Sequence, residues 1–562
     1  MPEFPPFALF YLAALAAAVL PRVPRQVLML AVPVVSCAAL LQLPADLLVS
    51  MAILDLQLEP FRVDRLSRLF GILFHIGAFI GIVFSLHTRD RTQHVAALAY
   101  AGSAFGAVFA GDLLTLFVFW EMLAVSSVFL IFASRTERSY GAGMRYLVIQ
   151  VISGVLLLAG ALILYGQSGS LRFEHIGLTG AGGTLIFLAF GIKCAFPLLH
   201  NWLTDAYPEA TPTGTVFLSA FTTKVAVYAL ARGFAGTEAL VYIGAVMTCF
   251  PIFYAVIEND LRRVLAYSMI NQIGFMVVGI GLGTALAING AIAHAFNDVI
   301  FKGLLMMSMG AVLHMTGRMN GSELGGLYKS MPVTTALCIV GAASISAFPL
   351  FSGFVSKSMV MVAVLEEGHP FVWLALLFAS AGVFHHAGIK IPFFAFFAHD
   401  SGIRTREPPA NMLIAMGIAA TLCIGIGVWP WVLYDLLPFT VNYTPFDGSH
   451  ILAQIQLLVF SAAAFAWLKV AGIYPPELHS TNIDVEWLYR RLAPRWALKT
   501  VTVSHRTAQA ASQAGKGLGR NLMRLVLHHY GPEGTLARAW PTGSMVLWVA
   551  VLLAASLVLY YL

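Results

Sequence analysis

Six lysines stand inside apolar runs of this chain, which otherwise keeps its cations between runs: Lys193, Lys224, Lys302, Lys357, Lys390 and Lys469. A lysine at the centre of a membrane helix costs roughly 2.5–3.5 kcal/mol, so each needs a partner or a hydrated path. Lys469 lies near the end of its run and can reach the interface. The other five lie deeper. Lysine, unlike arginine, gives up its proton when withdrawn from water. Only two carboxylates, Glu121 and Asp298, lie at comparable depth. Two acids cannot neutralise five cations as static counter-ions. The pattern points to groups that change protonation state, which is the chemistry of proton transfer.

Spacing sharpens this reading. Glu121 sits mid-run in Phe119-Trp120-Glu121-Met122-Leu123, where an ion pair with a lysine of another helix is expected. His294, Asp298 and Lys302 recur every four residues, so they share one helix stripe about two turns long. That stripe reads as a stretch of proton wire; the plainer alternative is a local Asp298–Lys302 ion pair with His294 merely packed. His385 and His386 precede Lys390, and adjacent residues point to different faces, so at most one of them shares its surroundings. Two segments break helical periodicity beside a lysine: Lys193-Cys194-Ala195-Phe196-Pro197-Leu198, and Phe348-Pro349-Leu350 leading to Lys357. The tripeptide Phe-Pro-Leu recurs 152 residues later. Five apolar runs separate the copies, an odd number, so the copies would cross a membrane in opposite directions. Inverted repeats with interrupted helices are a transporter arrangement. Lys224 and Lys390 are related by the same five-run offset.

The elements that must hold these groups follow from composition. The chain has 562 residues, 59% hydrophobic and 11% charged, with a mean hydropathy of +0.81. Soluble domains carry about 25% charged residues. A soluble globule, a secreted disulfide scaffold, a nucleic-acid binder and a disordered chain are excluded. The five cysteines form no C-x-x-C pair, which argues against iron–sulfur clusters and structural zinc; no cofactor or metal is expected. The predicted fold is an all-α polytopic membrane protein of about sixteen spans, including runs 27–51, 113–133, 181–203, 288–314 and 331–365, the last too long for one straight helix. The first run, 8–21, is read as a span because no Lys or Arg precedes it. Lys and Arg number 22 in the loops after odd-numbered runs and 5 after even-numbered ones. That asymmetry puts the N-terminus outside and 475–542 in the cytoplasm.

The residues resemble a known family. Asp112-Leu113-Leu114 through Glu121, Gly191-Ile192-Lys193 through Asp205-Ala206, and Ala210-Thr211-Pro212-Thr213 carry the resemblance. Thr223-Lys224-Val225 through Tyr228, Asn259-Asp260-Leu261-Arg262-Arg263 through Ser268, Phe301-Lys302-Gly303 and Ser352-Gly353-Phe354-Val355-Ser356-Lys357 continue it. These are similar to the antiporter-like proton-translocating subunits shared by respiratory complex I and Mrp-type cation/proton antiporters, most closely the D-type subunits of the Mrp group, over about residues 70–440. The resemblance implies two inverted five-helix repeats, helices 4–8 and 9–13, with helices 7 and 12 broken. It divides the chain into an N-terminal three-helix segment 1–92, repeats at 93–233 and 236–398, helices 14–15 at 410–474, a cytoplasmic or lateral amphipathic segment 475–542 and a C-terminal anchor 543–562. It also implies a midplane axis: Glu121 as carboxylate, Lys193 its partner, Lys224 the linking base, His294 and Lys302 the relay, and Lys357 the exit. Asp298 stands where some members carry a second histidine. Lys390 completes the candidate path.

The expected function is proton translocation within a larger complex of the bacterial inner membrane. Expected partners are other membrane subunits, the lipid bilayer, and protons, with sodium or potassium as further cations; no nucleic acid is expected. A proton-conducting subunit for inorganic-carbon uptake and, from a different class, a quinone-dependent redox subunit are the alternatives. No self-contained catalytic site and no Gly-rich nucleotide fingerprint is apparent.

Overall fold

Twelve helices among the described residues are long and apolar enough to cross a membrane. The computed structural model describes residues 5–53, 56–478 and 482–562, in two units that meet between Asn482 and Ile483. The first unit opens with α1 (Pro6–Val19) and α2 (Arg22–Gln42), a hairpin of β1 (Leu47–Ile53) and β2 (Leu56–Val63), then α3 (Arg65–Ser85), α4 (Arg91–Phe109), α5 (Leu113–Phe132) and α6 (Glu137–Ser168). It continues with α7 (Gly180–Lys193), α8 (Asn201–Ala206), α9 (Pro212–Ala220), α10 (Thr222–Gly233), α11 (Glu238–Ile257), α12 (Leu261–Leu282), α13 (Ala285–Thr316), α14 (Pro332–Ile345), α15 (Ser352–Glu366) and α16 (Pro370–Val383). Wider π-helical turns at Phe384–Ile389 and Phe393–Phe397 extend α16 past Lys390. Apolar helices Ala410–Val428 and Gly448–Val470 complete this unit.

Helix starts are written in short acceptors. Asp64, Asp90, Asp112, Thr136 and Asp260 each accept a backbone N–H of the first turn that follows, satisfying donors the helix leaves free. Gly169, Gly283 and Gly317 close α6, α12 and α13 with φ of 68°, 76° and 67°, a left-handed conformation that glycine adopts without a Cβ clash.

The expected span 27–51 is corrected: α2 stops at Gln42, and residues 47–53 and 56–63 pair as the two strands of the hairpin. Leu43 takes an extended ψ of 147°, as a residue before proline must, and Pro44 cannot continue the helix. The hairpin is a local exception to an otherwise helical protein.

Runs 181–203 and 331–365 are both interrupted, at α7/α8 and α14/α15. Each break reads Ala-Phe-Pro-Leu. Ala195 and Leu198 have φ of 60° and 70°, and Ala347 and Leu350 have 59° and 71°. Phe196 N donates to Gly191 O at 3.0 Å and Phe348 N to Ala343 O at 3.1 Å, each reaching back five residues. Non-glycine residues in this region cost of order 1–3 kcal/mol each and persist where the surroundings hold them. Flanking helices also match in length: α6 and α13 have 32 residues each, α7 and α14 have 14 each.

The second unit holds one helix, Ala493–Tyr530, of 38 residues, about 57 Å long at ~1.5 Å per residue, and an apolar helix Thr542–Tyr561. Gly515, Gly517 and Gly519 do not interrupt the long helix.

Candidate functional site

The seven candidates from Lys193 to Lys390 are buried, none more than 2% exposed, whereas Glu121 is half-buried. Each has a structural reason for its place. Lys193 is the last residue of α7, and the break that follows opens the helix end beside it. Its ammonium donates to the carbonyl of Trp120 on α5 at 2.7 Å and lies 4.7 Å from the centre of the Trp120 ring. Trp120 is fixed in turn: its indole N–H donates to Ser153 Oγ at 3.0 Å, and Ser153 donates to Ala189 O at 2.7 Å.

Glu121 follows Trp120 and takes another direction. Its carboxylate fills the notch left by Gly154 on α6, where any Cβ would collide with Glu121 Oε1. That oxygen is covered and has no hydrogen-bond partner among the described residues. The expected Glu121–Lys193 ion pair is therefore not made; the two charges remain within electrostatic reach.

Asp298 does not make the local pair that was the plainer alternative for its stripe. It does not bond Lys302 one turn along α13. Lys224 of α10 takes the carboxylate instead, with Nζ 2.5 Å from Asp298 Oδ2 and a further bond to Ser219 O at 3.2 Å. Lys302 turns to α12 and donates to Ser268 Oγ at 2.7 Å. Lys302 and Lys357 lie within electrostatic reach of Asp298 without touching it.

His294 bridges α12 and α15: Nδ1 lies 3.1 Å from Ser356 Oγ and Nε2 3.0 Å from Gln272 Oε1. Gln272 donates to Asn271 Oδ1 at 2.8 Å. Lys357 reaches back across the second break to Ile345 O at 3.2 Å and lies 5.1 Å from the Phe275 ring centre. Ser268, Asn271, Gln272 and Ser356 were missed in the sequence reading. Their signal was present, as four polar residues in otherwise apolar runs.

Lys390 sits apart. It donates to Val256 O and Glu258 O, both at 2.7 Å, and pairs with Glu477 at 2.9 Å. Glu477 was not foreseen, because it follows two prolines beyond the last apolar run of this unit. His386 is buried with neither ring nitrogen bonded among the described residues, while His385 packs edge-on to Phe465 and tilted against Tyr474. Lys469 lies over the Phe394 and Tyr474 rings at 5.2 and 5.4 Å. Among the described residues no group of three or more His, Cys, Asp or Glu is placed to hold a metal ion.

What is assembled is a row of ionisable groups from α5 to α15, joined through hydrogen bonds to hydroxyl and amide side chains and carbonyl oxygens. Comparison with known proteins agrees with that geometry. Residues 110–382 match the family described as NADH:quinone oxidoreductase/Mrp antiporter, transmembrane. The chain is 31% identical to the A-type subunit of the Na(+)/H(+) antiporter of Alkalihalophilus pseudofirmus, over 66% of its own length and 52% of the relative's. It is 29% identical to the D-type subunit of the same antiporter, over 67% of this chain and 83% of that one. It thus spans about half the length of the A-type relative, and identity does not single out the D type. A chain of the membrane-bound sulfane sulfur reductase, an archaeal respiratory membrane complex, superposes with a TM-score of 0.73 at 23% identity, covering 99% of this chain and 100% of that one. That likeness speaks to the fold. The row of buried charges, the matching segment and the shared fold converge on one likeness: the chain is similar to the antiporter-like membrane subunits found in Mrp antiporters and complex I.

Proposed function

We propose that this chain is a proton-translocating subunit of a multisubunit membrane complex of the Mrp or complex I type. Protons pass from Glu121 through Lys193, Lys224, Asp298, His294 and Lys302 to Lys357, and Lys390 with Glu477 serves the face where α11 meets α12. The observation that carries this reading is the Lys224–Asp298 pair, two charges with 0% side-chain exposure joining α10 to α13. An apolar pair of similar volume in a buried site is often as stable or more so. Stability alone therefore does not explain a charged pair standing amid further lysines. Gln150 and Asn201 are buried beside the first break without side-chain partners among the described residues; water is the partner such groups take, and a water-threaded row conducts protons.

Residues 93–233 and 236–398 act as two inverted repeats. Equal helix lengths and matching dihedrals at the two Ala-Phe-Pro-Leu breaks support this, as do the aspartate caps at Asp112 and Asp260, each paired as an isolated bridge with a residue beyond the next two helices. Coverage of most of the D-type relative, against half of the A-type one, favours a D-like part in the assembly. The loop asymmetry of Lys and Arg supports an N-terminus outside. The helix Ala493–Tyr530 carries six Lys or Arg and no acid, which suits a segment lying along anionic headgroups at the membrane surface.

The test is proton transport by the whole complex in proteoliposomes. Glu121→Gln and Lys193→Ala should each abolish ion-coupled transport with normal membrane insertion. Near-normal transport in both would overturn the proposal.

A further inference from the structure

A cavity of about 620 Å³ lies between α1, α4 and α5, with Glu121 of the charged row on its α5 wall. Its lining is almost wholly apolar, and Met122, Val125 and Phe129 on its α5 wall are 40, 49 and 44% exposed. These residues stand at successive turns of one helix face, so the groove opens sideways toward hydrocarbon. Ala99 of α4 lies on its floor, and Tyr11 bonds Ser103 at 2.7 Å within it.

One end of the groove is cationic. Arg91 lines it and donates to Ala18 O, the last turn of α1, at 3.0 Å. Arg25, on the first turn of α2, lies within electrostatic reach of Arg91 and of Arg22. Arg25 is 3% exposed, its Nε is covered and unbonded, and its side chain makes no ion pair or hydrogen bond among the described residues. The acid of this cluster, Asp90, is engaged by Arg135 at 3.3 Å and by the Thr92 N–H at 2.9 Å. A covered guanidinium without a counter-ion is costly. Arg91, which interacts with Arg25, lines the apolar groove, and this specifies what would relieve the charge: an anion attached to a hydrocarbon chain.

We propose that this groove holds one acyl chain of an anionic phospholipid, whose phosphate is the counter-ion of Arg25 together with Arg22 and Arg91. A neutral or zwitterionic lipid would fill the groove without answering the charge. Glu121 lines the groove, but the arginines that hold the ligand lie outside the charged row, so lipid retention is read separately from proton transport.

The experiment is native mass spectrometry of the full-length chain in mild detergent, titrated with phosphatidylglycerol or with phosphatidylcholine of the same chains. One phosphatidylglycerol should be retained about tenfold more tightly than phosphatidylcholine, and Arg25→Gln with Arg91→Gln should lose about that factor. Ala99→Trp, which blocks the groove and leaves the arginines, should release the lipid as well and guards against misfolding of the arginine variant. Arg404→Gln, at an exposed loop, should change nothing. Equal retention of the two lipids, or undiminished phosphatidylglycerol binding in both groove variants, overturns the proposal. So does cross-linking of a cysteine placed at Val125 to a neighbouring subunit in the intact complex, which would give the groove a protein occupant.

Discussion

Replacing Lys224 by methionine keeps the length of the side chain and removes its charge. At the 2.5 Å separation found between Lys224 and Asp298, two unit charges attract by about 7 kcal/mol at an effective dielectric of about 20. Desolvating both ions offsets most of that. The measurable quantity is the cost of breaking the pair, about 3–5 kcal/mol for a buried ion left alone. Lys224→Met should therefore lower unfolding stability sharply. Asp298→Asn should cost less, since Lys224 retains Ser219 O. The double variant should be more stable than Lys224→Met, with a coupling of at least about 1 kcal/mol in the cycle. Thermal denaturation of the detergent-solubilised chain, followed by loss of the monodisperse peak, measures all four forms, and proteoliposome transport is measured beside it. If Lys224→Met melts like the wild type, or the two substitutions are additive, the pair is not a coupled buried unit and the reading of Asp298 as the anchor of the lysine row fails.

Gly154→Leu should fill the notch that receives the Glu121 carboxylate and reduce transport as strongly as Glu121→Gln while insertion persists; normal transport would show that Glu121 works in another position. At the first break, Ala195→Gly should leave stability unchanged or raise it by up to about 1 kcal/mol, whereas Ala195→Val should lose about 1–3 kcal/mol, because Ala195 holds a φ of 60°; denaturation midpoints decide. Asp64, at the start of α3, is pushed up by burial, but Arg232, the Ser67 N–H and Arg62 outweigh that and hold it below the ordinary aspartate range. Its contribution is thus present above the ordinary aspartate pKa and lost as pH falls through the lower folded value. Asp64→Asn should lower the melting point at neutral pH and blunt its further fall in acid; parallel pH profiles for the two proteins would contradict this.

The polytopic class, the depth of the five lysines and both helix breaks were legible in the sequence because each is a local property. Apolar run length reports a membrane span, a charge inside a run reports burial, and Ala-Phe-Pro-Leu takes the same broken backbone at both of its places. Partner choice was not local. The spacing of His294, Asp298 and Lys302 establishes that they share a helix face, but periodicity does not say which neighbour packs there. Packing of α10 against α13 brought Lys224 to Asp298, 74 residues away, and left Lys302 to Ser268 of α12. A notch on α6 drew Glu121 away from Lys193, and a chain segment 87 residues downstream supplied Glu477 to Lys390. The hairpin of β1 and β2 was hidden for a related reason: its apolar strand reads like the tail of a span, and only its pairing with the next strand satisfies its backbone in another way. Sequence thus determined which groups are buried and where helices fail, whereas tertiary packing decided which charges meet, since an ion pair forms only where two helices bring side chains within a few ångströms.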